Sequence, residues 1–349
     1  SPKIMEDQIT YPLVSNLQGL PKVKAVRAQS MFGMSFIYVI FEDNVDIYWA
    51  RSRVLEKLNY ASSFLPPGVI PTLGPDGTGV GHVYWYTVEG KDYDLAELRA
   101  IQDWYIRYQL NSVPGVAEVA SVGGFVKQYQ VDLDPIKLVA YDVNFNSIVD
   151  AIKNTNRDVG GKIIESNSLQ MFVRGQGYVR SVKEIEKIPI GTGKDGVPIY
   201  IKNVGTVQLG NDIRLGMMDK NGQGEVVGGI IVMRYGENAK DVIERVKEKI
   251  VEIQKGLPKG VEIKTAYDRS DLIERSIKTL TNALVEEALV VSLIVMIFIF
   301  HVRSAIRILI ELPVSVLLSF ILMKQFGITS NIMSLGGLAI AIGVLVDSS

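Results

Sequence analysis

Two periodicities alternate over roughly the first 280 residues, and a third pattern follows them. "SFIYVIFED" (Ser35 to Asp43) and "EVVGGIIVMRYG" (Glu225 to Gly236) are apolar, β-branched runs of strand length. Each precedes a stretch with apolar residues every three or four positions: "DIYWARSRVLEKLNYA" (Asp46 to Ala61) and "AKDVIERVKEKIVEIQ" (Ala239 to Gln254). That spacing predicts amphipathic helices. After each helix come matching turn-and-strand segments, "SFLPPGVIPTL" (Ser63 to Leu73) and "KGLPKGVEIKT" (Lys255 to Thr265). "GLPKVKAVRA" (Gly19 to Ala28) and "SVPGVAEVAS" (Ser112 to Ser121) are a second pair of echoes, each after a helix-like stretch. One supersecondary unit used twice explains this order.

Each unit reads helix, strand, strand, helix, strand behind a leading strand, the βαββαβ order of ferredoxin-like folds. In the second unit the leading strand is "GHVYWYTVEG" (Gly81 to Gly90); in the first it falls at or before residue 1. The expected boundaries are 1–76 for the first unit, and 77–125 with 213–278 for the second. An α+β module of its own, 126–212, is inserted between the second unit's second and third strands.

After Ala283 the alternation gives way to three apolar segments, about 283–301, 305–326 and 331–349. A membrane-spanning helix needs about 20 mostly apolar residues, so the first two qualify as spans and the third begins one. The link "HVRSAIR" (His301 to Arg307) into the second segment carries Arg303 and Arg307, whereas the link "KQFGITSN" (Lys324 to Asn331) into the third carries Lys324 alone. The excess of basic residues puts the first link in the cytoplasm and everything before Ala283 on the outer side. In a two-membrane bacterium that side is the periplasm. The fold class expected is therefore an α+β periplasmic region followed by transmembrane α-helices.

Composition narrows the chemistry. The 349 residues carry a net charge of −1, which gives no support to nucleic-acid binding. Cysteine is absent, so disulfides and thiolate metal sites are excluded. Two histidines, His82 and His301, are too few for a histidine-rich zinc site. "GPDGTGVG" (Gly74 to Gly81) lacks the Lys and Ser/Thr of a phosphate-binding loop and reads as a turn. No nucleophile–base pair stands out, so an enzyme ranks last. The chain starts with Ser and "SPKIMEDQITYPL" has no signal-peptide pattern; it reads as a piece of a longer protein.

One acid stands against its surroundings. Asp347 follows Leu335 to Val346, a run without a charged or amide side chain. A helix from Asn331 would carry it roughly 24 Å along its axis at 1.5 Å per residue. That depth lies inside a hydrocarbon layer of about 30 Å. An acid at such a depth is a proton-relay candidate. Gly336, Gly337 and Gly343 give the same helix a surface for close packing. Methionine is the other candidate, because thioether sulfur suits Cu(I) and Ag(I). The pair Met217 and Met218 and the spacing Met31-x-x-Met34 stand out, although a single methionine most often fills a core.

Taken together, "EDQITYPL", "YVIFEDNVDIYWARSRVLEKLN", "LGPDGTGVG", "SVPGVAEVASVGG", "YQVDLDP", "YDRSDLIERSI", "HVRSA" and "NIMSLGGLAIAIGVLVD" resemble the heavy-metal efflux branch of the resistance-nodulation-division transporters. The resemblance covers essentially the whole chain and implies the N-terminal half of a longer pump. It implies that the repeated units are porter subdomains and the insert a docking subdomain. It further implies a proton-driven, non-enzymatic metal/proton antiporter of the inner membrane. Such pumps are homotrimers that work with a periplasmic adaptor and an outer-membrane channel.

The family's relay acid falls on Asp347. Divalent-cation members carry a second Asp six residues earlier, where this chain has Ala341, so the resemblance favours Cu(I)/Ag(I) as cargo and no resident cofactor. The family's methionine path matches Met333, with Met217 and Met218 standing in for a position that is Ile213 here. Export of zinc, cobalt or cadmium is the first alternative, and a protein-secretion subunit with ferredoxin-like modules is the second.

Overall fold

A computed structural model describes the backbone of residues 1–349 except 167, 168, 176, 194, 195, 215, 300, 301, 329, 331 and 349. The side chain of Asp347 and those of other residues in the last three helices lie outside the description. The chain divides into two compact units, 1–81 with 232–237, and 82–231 with 238–349.

In the first unit α1 (Pro2–Met5), a π-helical turn (Glu6–Thr10) and α2 (Tyr11–Leu17) run on continuously. The hairpin β1 (Val23–Met31) and β2 (Met34–Phe41) follows, then α3 (Ile47–Ala61). Asp46 starts α3 by accepting the Trp49 amide at 2.8 Å. Ala50, Val54, Leu58 and Ala61 form its buried stripe. Val54 and Leu58 meet Leu13 and Leu17 of α2, and Ile37, Val39 and Phe41 of β2 pack on this cluster. The strand expected after α3 does not form: 66–75 has no regular structure. Pro66, Pro67 and Pro71 have no N–H to donate to a ladder, and among the described residues β1 and β2 pair only with each other.

The second unit is built on a four-stranded sheet in the order β12-β3-β11-β4. Its strands are β3 (Gly77–Gly90), β4 (Val116–Val122), β11 (Val227–Arg234) and β12 (Val261–Asp268). Between β3 and β4 run α4 (Leu95–Ile101), a π-helical turn (Gln102–Ile106) and α5 (Arg107–Asn111). Between β11 and β12 runs α10 (Ala239–Gln254). The central strand β3 is buried on both faces from Val83 to Val88 except at Trp85. The Tyr86 hydroxyl donates to Gln102 Oε1 at 3.0 Å, and Gln102 Nε2 donates to Ser121 Oγ at 3.1 Å. A Cβ on Gly229 would stand 2.3 Å from that hydroxyl, so only glycine leaves room for it.

The segment between β4 and β11 has its own core of Ile148, Ile185, Ile188, Ile190, Ile199, Ile201, Val204 and Val207. Its elements are β5 (Lys127–Leu133), α6 (Pro135–Ala140), α7 (Phe145–Thr155), β6 (Val159–Ser166), β7 (Leu169–Gly175), α8 (Val182–Glu186), β8 (Pro189–Thr192), β9 (Pro198–Tyr200), α9 (Ile201–Val204) and β10 (Gly205–Asn211). β5 and β10 pair antiparallel from Lys127↔Asn211 to Leu133↔Gly205. The Asp212 amide then donates to the Val126 carbonyl at 2.9 Å, so the outgoing and returning chains lie side by side.

Three helices close the chain: α11 (Arg269–Ile299), α12 (Val302–Gln325) and α13 (Ile332–Ser348). They pack on one another. Among the described residues no helix is long and apolar enough to cross a membrane. α11 begins at Arg269 and its first turns are charged, α12 carries Arg303, Arg307, Glu311 and Lys324, and α13 has 17 residues. Residues 301, 331 and 349, which bound the expected spans, lie outside the described set. The helices nevertheless show large apolar residues to the outside, among them Leu289, Leu293, Ile297, Ile310, Val314 and Leu317.

Candidate functional site

The residues singled out by sequence are spread over several elements. Asp347 belongs to the last turn of α13, and its side chain lies outside the described residues. Met333 is at the start of the same helix and 84% exposed. Met217 and Met218 lie in the non-regular return from β10 to β11. Met217 is exposed, whereas Met218 packs over two glycines. Its sulfur stands 2.9 Å from where a Cβ on Gly228 would be, and its Cβ 3.2 Å from one on Gly123. Met218 therefore fills space against the sheet, and Met217 is the freer thioether of the pair. Among the described residues no group of three or more His, Asp or Glu is placed to hold a metal ion.

A crevice of about 260 Å³ opens where the insert leaves and re-enters the second unit. Arg99, Phe125, Asp212, Ile213 and Arg214 line it together with Gly123 and Gly124. Its cations are already engaged. Arg99 pairs with Asp103 at 2.7 Å and donates to the Gly123 carbonyl at 2.6 Å. Arg214 pairs with Glu225 and lies over the Phe125 ring, 5.0 Å from its centre. Gly123 (φ 76°) and Gly124 (φ 66°) hold left-handed conformations, and a Cβ on Gly123 would stand 2.0 Å from the Val226 carbonyl oxygen. The crevice is a fixed corner of the fold more than a receptor for an anion.

Two ionic clusters that no sequence pattern marks tie this unit together. Glu89 of β3 pairs with Lys220 and Lys264 and accepts a 2.8 Å hydrogen bond from the Thr87 hydroxyl. The hydrogen bonds from Lys220 and Lys264 hold its carboxyl at about 2, well below the usual range, against a smaller upward push from burial. Lys220 belongs to a tight loop closed by the Asp219↔Glu225 bridge, so the return segment is latched to the sheet. In the second cluster Lys247 of α10 pairs with Asp268 at the end of β12 and donates to Ser270 Oγ at 3.1 Å. Burial pushes the Asp268 carboxyl up, but the bonds from Lys247 and Ser270 outweigh it and leave it lowered. Asp268 also accepts the Ser270 amide at 2.8 Å, and Lys240 meets Glu274 at 3.5 Å. α10 is thus clamped along the first turns of α11.

Comparison with known proteins places this architecture. The model of the AcrB/AcrD/AcrF family matches residues 1–349. The chain is 46% identical over 351 residues to the putative cation efflux system protein SilA of Salmonella typhimurium and to the cation efflux system protein CusA of Escherichia coli K12. It is 37% identical over 358 residues to the cobalt-zinc-cadmium resistance protein CzcA of Cupriavidus metallidurans. All of this chain is covered in each case, against 34% of SilA and CusA and 33% of CzcA, so it spans about a third of these relatives' length. A crystal structure of a heavy metal efflux pump superposes with a TM-score of 0.89 at 34% identity, over 99% of this chain and 34% of that one. With such matches along its whole length, the chain belongs to the AcrB/AcrD/AcrF family, within its heavy-metal efflux branch.

Proposed function

We propose that this chain is part of a proton-driven pump of the inner membrane that exports Cu(I) or Ag(I). The observation that carries the reading is the 46% identity to SilA and CusA, against 37% to the cobalt-zinc-cadmium protein. Ala341, at the place of the second acid of divalent-cation members, supports the same cargo.

Asp347 takes up and releases the driving proton, and Met333, Met217 and Met218 offer thioethers to the ion. The apolar residues exposed on α11 to α13 suit the membrane region of the full-length pump, where lipid and the remaining helices cover them. The residues before Ala283 lie in the periplasm. The pump works as a homotrimer with a periplasmic adaptor and an outer-membrane channel, and catalyses no covalent step.

The test is a resistance assay in a metal-sensitive Gram-negative host. The full-length pump confers copper and silver resistance, and Asp347→Asn abolishes it while the trimer still assembles. Resistance retained by the Asn variant overturns the relay assignment. Resistance to zinc, cobalt or cadmium in place of copper and silver overturns the cargo and favours the divalent reading.

A further inference from the structure

The β1–β2 hairpin of the first unit holds two thioethers that the proposed path does not use. Met31 ends β1 and Met34 begins β2, and the register makes them direct cross-strand partners across the Phe32–Gly33 turn. Direct partners point to the same face with Cβ atoms about 4.5–5.5 Å apart. The two sulfurs can therefore reach one ion between them.

Which face they share decides their role. Ile37, Val39 and Phe41 turn inward onto the α2–α3 core. Alternation puts Ser35 on that inner face too, and Thr10 Oγ1 lies 2.8 Å from Ser35 Oγ and 2.8 Å from Ser30 Oγ. Met34 is then on the opposite face with Phe36 and Tyr38, which are 45% and 61% exposed. Both methionines are half-buried. A core-filling methionine would have to lie with Ile37 and Val39, and these two do not. The hydroxyl cluster on the inner side pins the hairpin end to the π-helical turn, so the pair is held in register before any ligand arrives. Phe36 comes next on the outer face and is the kind of ring that attracts a cation.

We propose that Met31 and Met34 form a soft-metal site of their own, a two-thioether seat for Cu(I) or Ag(I) on the outer face of the β1–β2 hairpin. The geometry is that of the hairpin alone; the choice of ion rests on the export reading above. The site gives a soft ion a resting place in the first unit, apart from the second unit's Met217 and the helical Met333.

Oxidation footprinting of the full-length, detergent-solubilised pump tests this. Dilute peroxide converts exposed thioethers to sulfoxides, and a bound ion shields them. With free Ag(I) about tenfold above Kd, Met31 and Met34 oxidise about tenfold more slowly, while Met5 in α1 serves as the unshielded control. Met31→Leu abolishes the shielding of Met34, and Met34→Leu that of Met31; leucine keeps volume and apolarity, so the hairpin persists. Shielding of either residue that survives loss of its partner overturns the site. If other methionines of the pump are shielded and these two are not, the site is wrong and the export reading stands. If no methionine is shielded and cells gain no silver resistance, both fall.

Discussion

At the scale of single residues, the fold depends on a few buried polar groups that have no substitute. Tyr86 and Gln102 are both fully buried, and each completes the other's hydrogen bonding. Tyr86→Phe leaves the Gln102 oxygen without its donor, which costs about 1–3 kcal/mol. The expected outcome is faster amide hydrogen exchange in β3 and β11, read by mass spectrometry; unchanged protection there refutes the assigned role. Gly229→Ala has a harsher effect, since the new methyl would meet the Tyr86 ring and hydroxyl. Neither dependence was legible beforehand. "GGII" reads as an ordinary strand, and the ring crossing it comes from a residue more than a hundred positions earlier. Met31 and Met34 show the same limit: their spacing is visible in the sequence, but their shared face is fixed only by the register.

At the scale of elements, the amphipathic stretches folded as their periodicity predicts: α10 covers Ala239–Gln254, the stretch marked by its spacing. The segment after α3 did not become a strand, because prolines deny it ladder donors and a repeat-based argument cannot see that. The ionic latch between Lys220 and Glu89 was likewise invisible, since its partners meet only through the sheet. Its pH dependence has a definite sign. Glu89 titrates at about 2 in the fold, against an ordinary value of 4.5. Above 4.5 the carboxylate is ionised folded or unfolded, and the latch contributes fully. The contribution fades as pH falls from 4.5 toward about 2. Hydrogen exchange in the Lys220–Glu225 loop should rise across that window, and Glu89→Gln should show the raised exchange already at neutral pH. A loop equally protected in the Gln variant would show that the latch does nothing.

At the scale of the whole molecule, sequence patterns conveyed the family along the full length of the chain. Family motifs run along the entire chain, and the three apolar segments are helices, with charges near their ends and, in α11, a charged first half. The clamp of α10 on α11 gives the proposed pump a physical link between the sheet and the helix bundle. Lys247→Gln breaks the pairing with Asp268 and leaves an acid short of its partner. In the full-length pump we expect lower metal resistance at unchanged expression and trimer content, with the double variant Lys247→Asp, Asp268→Lys regaining part of it. Full resistance in the single variant would show that the ion pair transmits nothing.

The paired exit and re-entry of the insert has an evolutionary consequence. Val126 and Asp212 are joined by a hydrogen bond, and the two strands beyond them zip together at once, so the insert hangs from a single narrow stalk. A lineage can lengthen, trim or exchange what the stalk carries without disturbing the register of the sheet below. Within such a family, sequence change can therefore accumulate in this appendage while the sheet beneath it stays unchanged.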